Sequence, residues 1–196
     1  MARIKPAKNG TRKDVILRKA SSLFRIKGFA TTSMRDLAES VGVEAPSLYN
    51  HIGSKIELLQ DICFKIAGAF TIHLEETTSK RISWQEKLEL IIRFHIHMML
   101  EEFDEVFVAN HEWKYLEEPQ LTIFLNQRRG YEKRLVALVE AGQKADEFKN
   151  NNPYVAVLTI LSALRGLEFL LRHKKNFSAE ELERDMVEHL LKGMVN

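Results

Sequence analysis

The chain has 196 residues, 45% hydrophobic and 29% charged, enough for one large helical domain or a small domain joined to a larger one. Its formal charge of +2 hides an asymmetry: residues 1–55 hold 11 Lys and Arg against 4 Asp and Glu, a net of +7, and residues 56–196 hold 18 against 23, a net of −5. A basic head on an acidic body places a polyanion at the head only. The single cysteine, Cys63, excludes an internal disulfide or a cysteine-rich zinc site and reads as buried packing.

No run of about 18 apolar residues suggests a membrane span, so no membrane partner is expected. The N-terminal stretch MARIKPAKNGTRK is basic but lacks the apolar core of a secretory signal, which leaves the cytoplasm as the expected compartment.

The fold class expected is all-α, with helices at about 12–27, 34–40, 45–51, 55–78, 84–101, 104–115, 119–144, 153–172 and 179–193. Five Ser/Thr-x-x-Asp/Glu boxes mark helix starts: Thr11 with Asp14, Ser33 with Asp36, Ser54 with Glu57, Ser83 with Glu86, and Ser178 with Glu181. In each, the hydroxyl can accept from the third helical amide while the acid reaches back to the cap amide. Phe177 and Leu182 can add a hydrophobic staple to the last. Helix one carries Ile16, Ala20, Leu23 and Phe24 on one face, to pack with Phe29 on the next two helices. Pro119 and Pro153 suit the first turns of helices seven and eight, and Lys149 to Asn152 read as a loop.

Residues 28–57, GFATTSMRDLAESVGVEAPSLYNHIGSKIE, hold the most specific signal. Met34, Leu37, Ala38 and Val41 repeat at helical spacing, Gly42 offers a positive-φ stop, and Val43, Leu48 and Ile52 supply the apolar contacts of a second short helix. That is the layout of a helix-turn-helix, whose second helix enters the major groove of DNA. The ordered set G-F-x-T-T-S-M-R-D-L-A-x-x-V-G-V-x-x-P-S-L-Y-x-H-I-x-S-K closely resembles the N-terminal domain of the TetR family of bacterial repressors, over about Thr11 to Leu59. The resemblance implies three DNA-binding helices followed by a six-helix ligand and dimer domain, hence domains at 1–55 and 56–196.

Chemistry and resemblance together assign the head. Ala45, Pro46, Ser47 and Asn50 would face base edges, with Asn50 able to read adenine and Ala45 and Pro46 to pack on thymine methyls. Arg35 would reach phosphate or guanine. Tyr49, His51 and Lys55 can donate to phosphates, and in the resembling family those positions commonly touch the backbone; His51 fits equally well as packing. Lys55 lies in the first turn of helix four, where free amides also favour an anion. Glu44 stands where many relatives have Ser or Thr as a cap, facing away from DNA or accepting from cytosine. The arm with Arg3, Lys5, Lys8, Arg12 and Lys13 can follow the minor groove or the phosphates.

In the body, residues 153–172, PYVAVLTILSALRGLEFLLR, are apolar almost all round, and such a helix must be covered on both sides. The resemblance implies that it and the last helix pair with their copies in a homodimer; burial within one subunit is the alternative. Ser162, Ala163 and Gly166 are small enough for close helix approach. Phe70, Phe94, Met98, Phe107, His111, Trp113, Phe124 and Tyr131 are expected to line an apolar effector pocket with a few polar tips; core packing is the plainer reading. The segment EWKYLEEPQLTIFLNQRRGYEKR is similar to TetR-like regulators that sense acyl-coenzyme A thioesters, so Arg128 and Arg129 would hold phosphates while Trp113 or Tyr131 stacks on adenine. An exposed basic helix face explains the two arginines as well. His95 and His97 stand two apart on different helix faces, so they and Glu101 make a poor metal site.

The reading is a homodimeric, ligand-responsive repressor that binds double-stranded operator DNA and a small-molecule effector, with no cofactor, metal or catalytic residue expected. An effector-independent architectural DNA-binding protein is one alternative. A helical enzyme is another, but no nucleophile–base motif or glycine-rich phosphate loop is visible.

Overall fold

The computed structural model describes residues 11–49, 52–172 and 178–195. Among these, the helices are α1 (Arg12–Lys27), α2 (Met34–Val41), α3 (Ala45–Tyr49), α4 (Lys55–Ser79), α5 (Trp84–Glu101), α6 (Phe103–His111), α7 (Gln120–Lys144), α8 (Pro153–Arg172) and α9 (Ala179–Lys192). A 3-10 turn covers Trp113–Tyr115. The described residues contain no strand, only an isolated bridge between Phe148 and Val195.

Local chemistry accounts for the helix starts. Thr11, Ser33, Ser83 and Ser178 all form reciprocal capping boxes with the acid three residues on. At α4, Ser54 Oγ accepts from Glu57 N at 3.1 Å. Phe177, the other half of the expected staple, lies outside the described residues, as does the expected end of the third helix at 50–51.

Two expectations need correction. The sixth helix does not run to residue 115. It ends at His111, and the chain tightens into the 3-10 turn, where Tyr115 N bonds Glu112 O at 3.0 Å and Leu116 N bonds Trp113 O at 2.9 Å. The claim that no segment has membrane-spanning length and apolarity also fails: Pro153–Leu171 has both, with a mean hydropathy of 1.7. Only 28% of that stretch is buried in the subunit.

The chain packs as two compact units. The first joins the residues up to Ala67 with Phe103–Leu125, and the second joins Gly68–Glu102 with Asn126 onward. Two of the three boundaries therefore fall inside α4 and α7, and the third lies between α5 and α6. In the first unit, the face of α1 formed by Ile16, Leu17, Ala20 and Phe24 is buried, and α1 packs on both α2 and α6. In the second, α5 packs on α8 and α9, around Leu88, Ile91, Ile92, Ile96, Val157, Ile160 and Leu164.

Gly142, inside α7, makes room for a ring. A Cβ there would lie 2.2 Å from Phe148 Cδ2 and 2.3 Å from Cε2. Phe148 is only 2% exposed, so its ring has nowhere to retreat. Gly142→Ala should therefore cost about 1–3 kcal/mol through overpacking. Gly130 lies in the same helix with nothing within 4 Å of a built Cβ, so Gly130→Ala should gain about 0.5–1 kcal/mol. Thermal denaturation of both variants checks the contrast; a Gly142→Ala protein as stable as the parent would contradict it.

Candidate nucleic-acid interface and aromatic cluster

The first unit is built around two glycine stops. Gly28 closes α1 at φ +85°, its N–H bonding Phe24 O at 2.9 Å. Gly42 closes α2 in the left-handed region at φ 77°, ψ 34°, and Val43 N then returns to Ala38 O at 3.0 Å. A side chain at either position would be strained, so these turns depend on glycine. Leu37 and Leu48, both fully buried, lock α2 and α3 into the unit.

This packing leaves one set of predicted contacts outward. Arg35 and Pro46 are exposed, Ala45 and Ser47 are half-buried, and Tyr49 is 53% exposed. Glu44 is exposed too, and its backbone carbonyl opens α3 by accepting from Ser47 N at 2.9 Å. Asn50 and His51 lie outside the described residues.

Lys55, expected to contact phosphate, has its ammonium engaged within the unit. Its ammonium donates to Phe29 O and Thr32 O, each at 2.8 Å, and reaches Ala30 O at 3.4 Å. It also sits 4.4 Å from the centroid of the Phe29 ring. Sequence reasoning missed a second participant, Glu112, whose Oε2 accepts from Phe29 N at 3.3 Å. No periodic signal links residues 83 positions apart.

Several cations of the unit are already paired. Lys13 meets Asp61 at 2.7 Å, Lys27 meets Asp36 at 2.7 Å, and Arg25 bonds Asp104. The Lys27 ammonium, with the Ser33 hydroxyl and amide, holds the Asp36 carboxyl far below the usual carboxylate range.

The expected effector residues divide between the two units. Phe107, His111, Trp113 and Phe124 belong to the first; Phe70, Phe94, Met98, Arg128 and Tyr131 belong to the second. In the first, Phe107 and His111 stack at 4.4 Å between ring centroids, and Phe124 meets Phe64 edge-on at 5.8 Å. Trp113 is half-buried in the 3-10 turn.

In the second unit, the structure brings Phe70, Phe94 and Tyr131 together and adds two histidines. His95 stacks on Phe70 at 4.3 Å, His73 stacks on Phe94 at 4.0 Å, and His95 Nε2 shares a 2.7 Å hydrogen bond with Tyr131 Oη. The space beside His95, lined by Leu88, Ile91, Leu135 and the α8 residues Val157, Ile160, Leu161 and Leu164, is about 10 Å3, room for one water at most. A roomier open groove of about 510 Å3 lies between Leu74, Glu75, Thr78, Trp84, Arg134, Ala137 and Leu138, none of which was expected to bind an effector.

Burial, helped by nearby His73 and Arg165, lowers the His95 pKa from 6.5 to about 3, and burial raises that of the Tyr131 phenol. Both groups are neutral at pH 7. The unfolded chain binds a proton at His95 below pH 6.5 and the folded chain does not, so stability falls as pH drops from 6.5 toward 3. The slope from this one group is up to about 1.4 kcal/mol per pH unit. Denaturant titrations at pH 7 and pH 5 should show that loss in the wild type and less of it in His95→Gln; identical pH dependence would refute the assignment.

This geometry has counterparts among known proteins. Residues 16–62 match the family described as bacterial regulatory proteins, tetR family, and residues 81–194 match the tetracyclin repressor-like C-terminal domain. The HTH-type transcriptional repressor KstR2 of Mycolicibacterium smegmatis is 27% identical over 154 residues, covering 76% of this chain and 73% of that protein. The structure of the ketosteroid transcriptional regulator KstR2 of Mycobacterium tuberculosis superposes with a TM-score of 0.88 at 17% identity, over 99% of this chain and all of that one. AibR, solved in complex with isovaleryl coenzyme A and operator DNA, superposes with a TM-score of 0.80 at 21% identity, over 92% of this chain and 98% of that one. With the helix-turn-helix in the first unit and the family match extending over most of the second, the chain belongs to the TetR family of bacterial regulatory proteins and is a DNA-binding transcriptional regulator.

Proposed function

We propose that the chain is a cytoplasmic, homodimeric repressor that leaves its operator when an apolar or acyl-type effector binds. The observation that carries the DNA half is the outward face of α2 and α3, where Arg35, Pro46 and the 53% exposed Tyr49 stand clear of a core sealed by Leu37 and Leu48. On this reading Tyr49 and His51 hold phosphates, Arg35 reaches phosphate or guanine, and Ala45, Pro46, Ser47 and Asn50 meet base edges. The functional division we propose, 1–55 for operator binding and 56–196 for effector and dimer, follows these contacts and not the packing units.

The dimer reading rests on α8. Tyr154, Val155, Leu158 and Phe169 are 47–60% exposed, while Val157, Ile160, Leu164 and Leu167 fill the subunit's own core. A second copy would cover the exposed face. Arg165 and Glu168, set among those apolar residues, suit a protein partner better than lipid.

The effector reading rests on the neutral His95–Tyr131 pair among stacked rings, which can orient one polar end of an apolar molecule. Coenzyme A thioesters are the specific version, supported by the complex formed by AibR. Arg128 is then the phosphate contact, and Phe70, Phe94, Met98 and Tyr131, all in the second unit, line the site. The effector must bind the non-operator conformation better, or it cannot lower operator affinity.

Three measurements test these readings. Tyr49→Phe should weaken binding to all DNA sequences, whereas Asn50→Ala should change base preference; a Tyr49→Phe protein with full affinity at every salt concentration refutes the phosphate role. Leu158→Glu or Phe169→Glu should shift sedimentation toward monomer with the fold intact, whereas Leu164→Glu, at 2% exposure, should unfold the subunit itself. A wild type that stays monomeric at micromolar concentration would end the dimer proposal. Fatty acids, acyl thioesters and aromatic compounds should be screened by thermal shift, and a stabilising ligand should also release DNA. Stabilisation without release would refute the coupling.

A further inference from the structure

The turn from Gly28 to Thr32 connects α1 to the Ser33 cap of α2, so its position helps set where α2 and α3 point. Two side chains of opposite charge grip it. Glu112 Oε2 accepts from Phe29 N at 3.3 Å, and Lys55 Nζ donates to Phe29 O at 2.8 Å. Both peptide groups flanking Phe29 are thereby tied to elements remote in sequence. Lys55 extends the tie to Thr32 O at 2.8 Å and Ala30 O at 3.4 Å. The Phe29 ring is fixed as well, between Phe24 at 5.1 Å, Tyr115 at 5.2 Å and the Lys55 ammonium at 4.4 Å.

An ammonium has three N–H donors, and three carbonyls converge on this one. The 3.4 Å contact to Ala30 O is exposed, but the 2.8 Å contacts to Phe29 O and Thr32 O are part-buried, and a DNA phosphate that took either of those donors would leave a carbonyl in need of a new partner. We propose that Lys55 and Glu112 are positioning residues for operator binding: together they hold the 28–32 turn that aims α2 and α3, and Lys55 acts through that turn and not on a phosphate. The inference rests on the reading that α2 and α3 carry the operator contacts.

The two roles for Lys55 separate on chemical grounds. A phosphate contact tolerates arginine, which keeps the charge and binds phosphate well. The turn does not, because a planar guanidinium cannot direct donors at three converging carbonyls from the same place. Removing a phosphate contact also lowers the salt dependence of binding by about 0.9 in the slope of log K against log salt, whereas loosening a turn leaves it alone.

The full-length protein supplies the test. A duplex enriched from a random-sequence pool by the wild type serves as the specific probe, and a scrambled duplex of equal length as the non-specific one. Lys55→Met and Lys55→Arg should each weaken binding to the enriched duplex about tenfold, leave the scrambled duplex unaffected and preserve the salt slope. Glu112→Gln should act in the same direction and add little to Lys55→Met, because the turn is already released. A shallower slope in Lys55→Met with wild-type behaviour in Lys55→Arg would overturn the proposal in favour of a phosphate contact. Equal losses on both duplexes with a lower melting temperature would overturn it in favour of general destabilisation. Without DNA, amide hydrogen exchange at Phe29 should accelerate in Lys55→Met and Glu112→Gln, and unchanged exchange would refute the clamp. A wild type that enriches no duplex would sink the operator reading and the positioning role with it, while the exchange measurement still decides whether the clamp exists.

Discussion

A DNA-reading head of three short helices is too small to seal its own core. Below roughly 70–80 residues a single hydrophobic core seldom supplies enough stability. Here the deficit is met by α6, whose Val106, Phe107, Val108 and Ala109 are buried in the same unit as α1. Arg25 to Asp104, Lys65 to Glu105 at 3.7 Å, and Phe29 N to Glu112 add polar links along the same segment. The head therefore includes residues some 80 positions downstream. Phe107, His111, Trp113 and Phe124 belong to that unit. A ligand touching any of them would act on the packing that supports the helix-turn-helix itself.

Most of this fold was legible because its helices announce themselves locally. Caps at Thr11, Ser33, Ser83 and Ser178 and a glycine at 42 are short-range devices, and short-range devices are written in consecutive residues. The sixth helix was overextended for the same reason. Trp113, Lys114 and Tyr115 continue a plausible helical pattern, and nothing in them signals the tighter 3-10 turn. Of the site, the exposed α2–α3 face followed from the motif. The grip of Lys55 and Glu112 on the 28–32 turn did not, because it joins residues 23 to 83 positions apart. The division into packing units was equally hidden: helical periodicity runs unbroken through α4 and α7, where two of the three boundaries fall.

Charge needs similar care. The net of +7 over residues 1–55 suggests a surface ready for phosphate, yet the lysines of that segment are in different states. Lys13 is about half exposed in its pair with Asp61, and Lys27 likewise with Asp36. Exposed pairs of this kind contribute only about 0–1 kcal/mol, so a phosphate can compete for either lysine at little cost. Lys55 differs in kind, since its partners are backbone carbonyls that shape a turn. Counting basic residues overstates the number that can release counterions, and the geometry of each cation decides which do.

The second unit poses the complementary problem, an apolar surplus. Helix α8 uses one face for the subunit core and leaves Tyr154, Val155, Leu158 and Phe169 uncovered. The covered face lines the small space beside His95, so the helix that would meet a second copy also borders the neutral His95–Tyr131 pair. Close-packed interiors respond to an inserted group by shifting whole elements, not by compressing. A molecule wedged against His95 would therefore have to displace Val157, Ile160 or Leu164, and any such shift of α8 is transmitted to its opposite face. On the proposed reading, effector binding and pairing of subunits would in this way be coupled through a single helix.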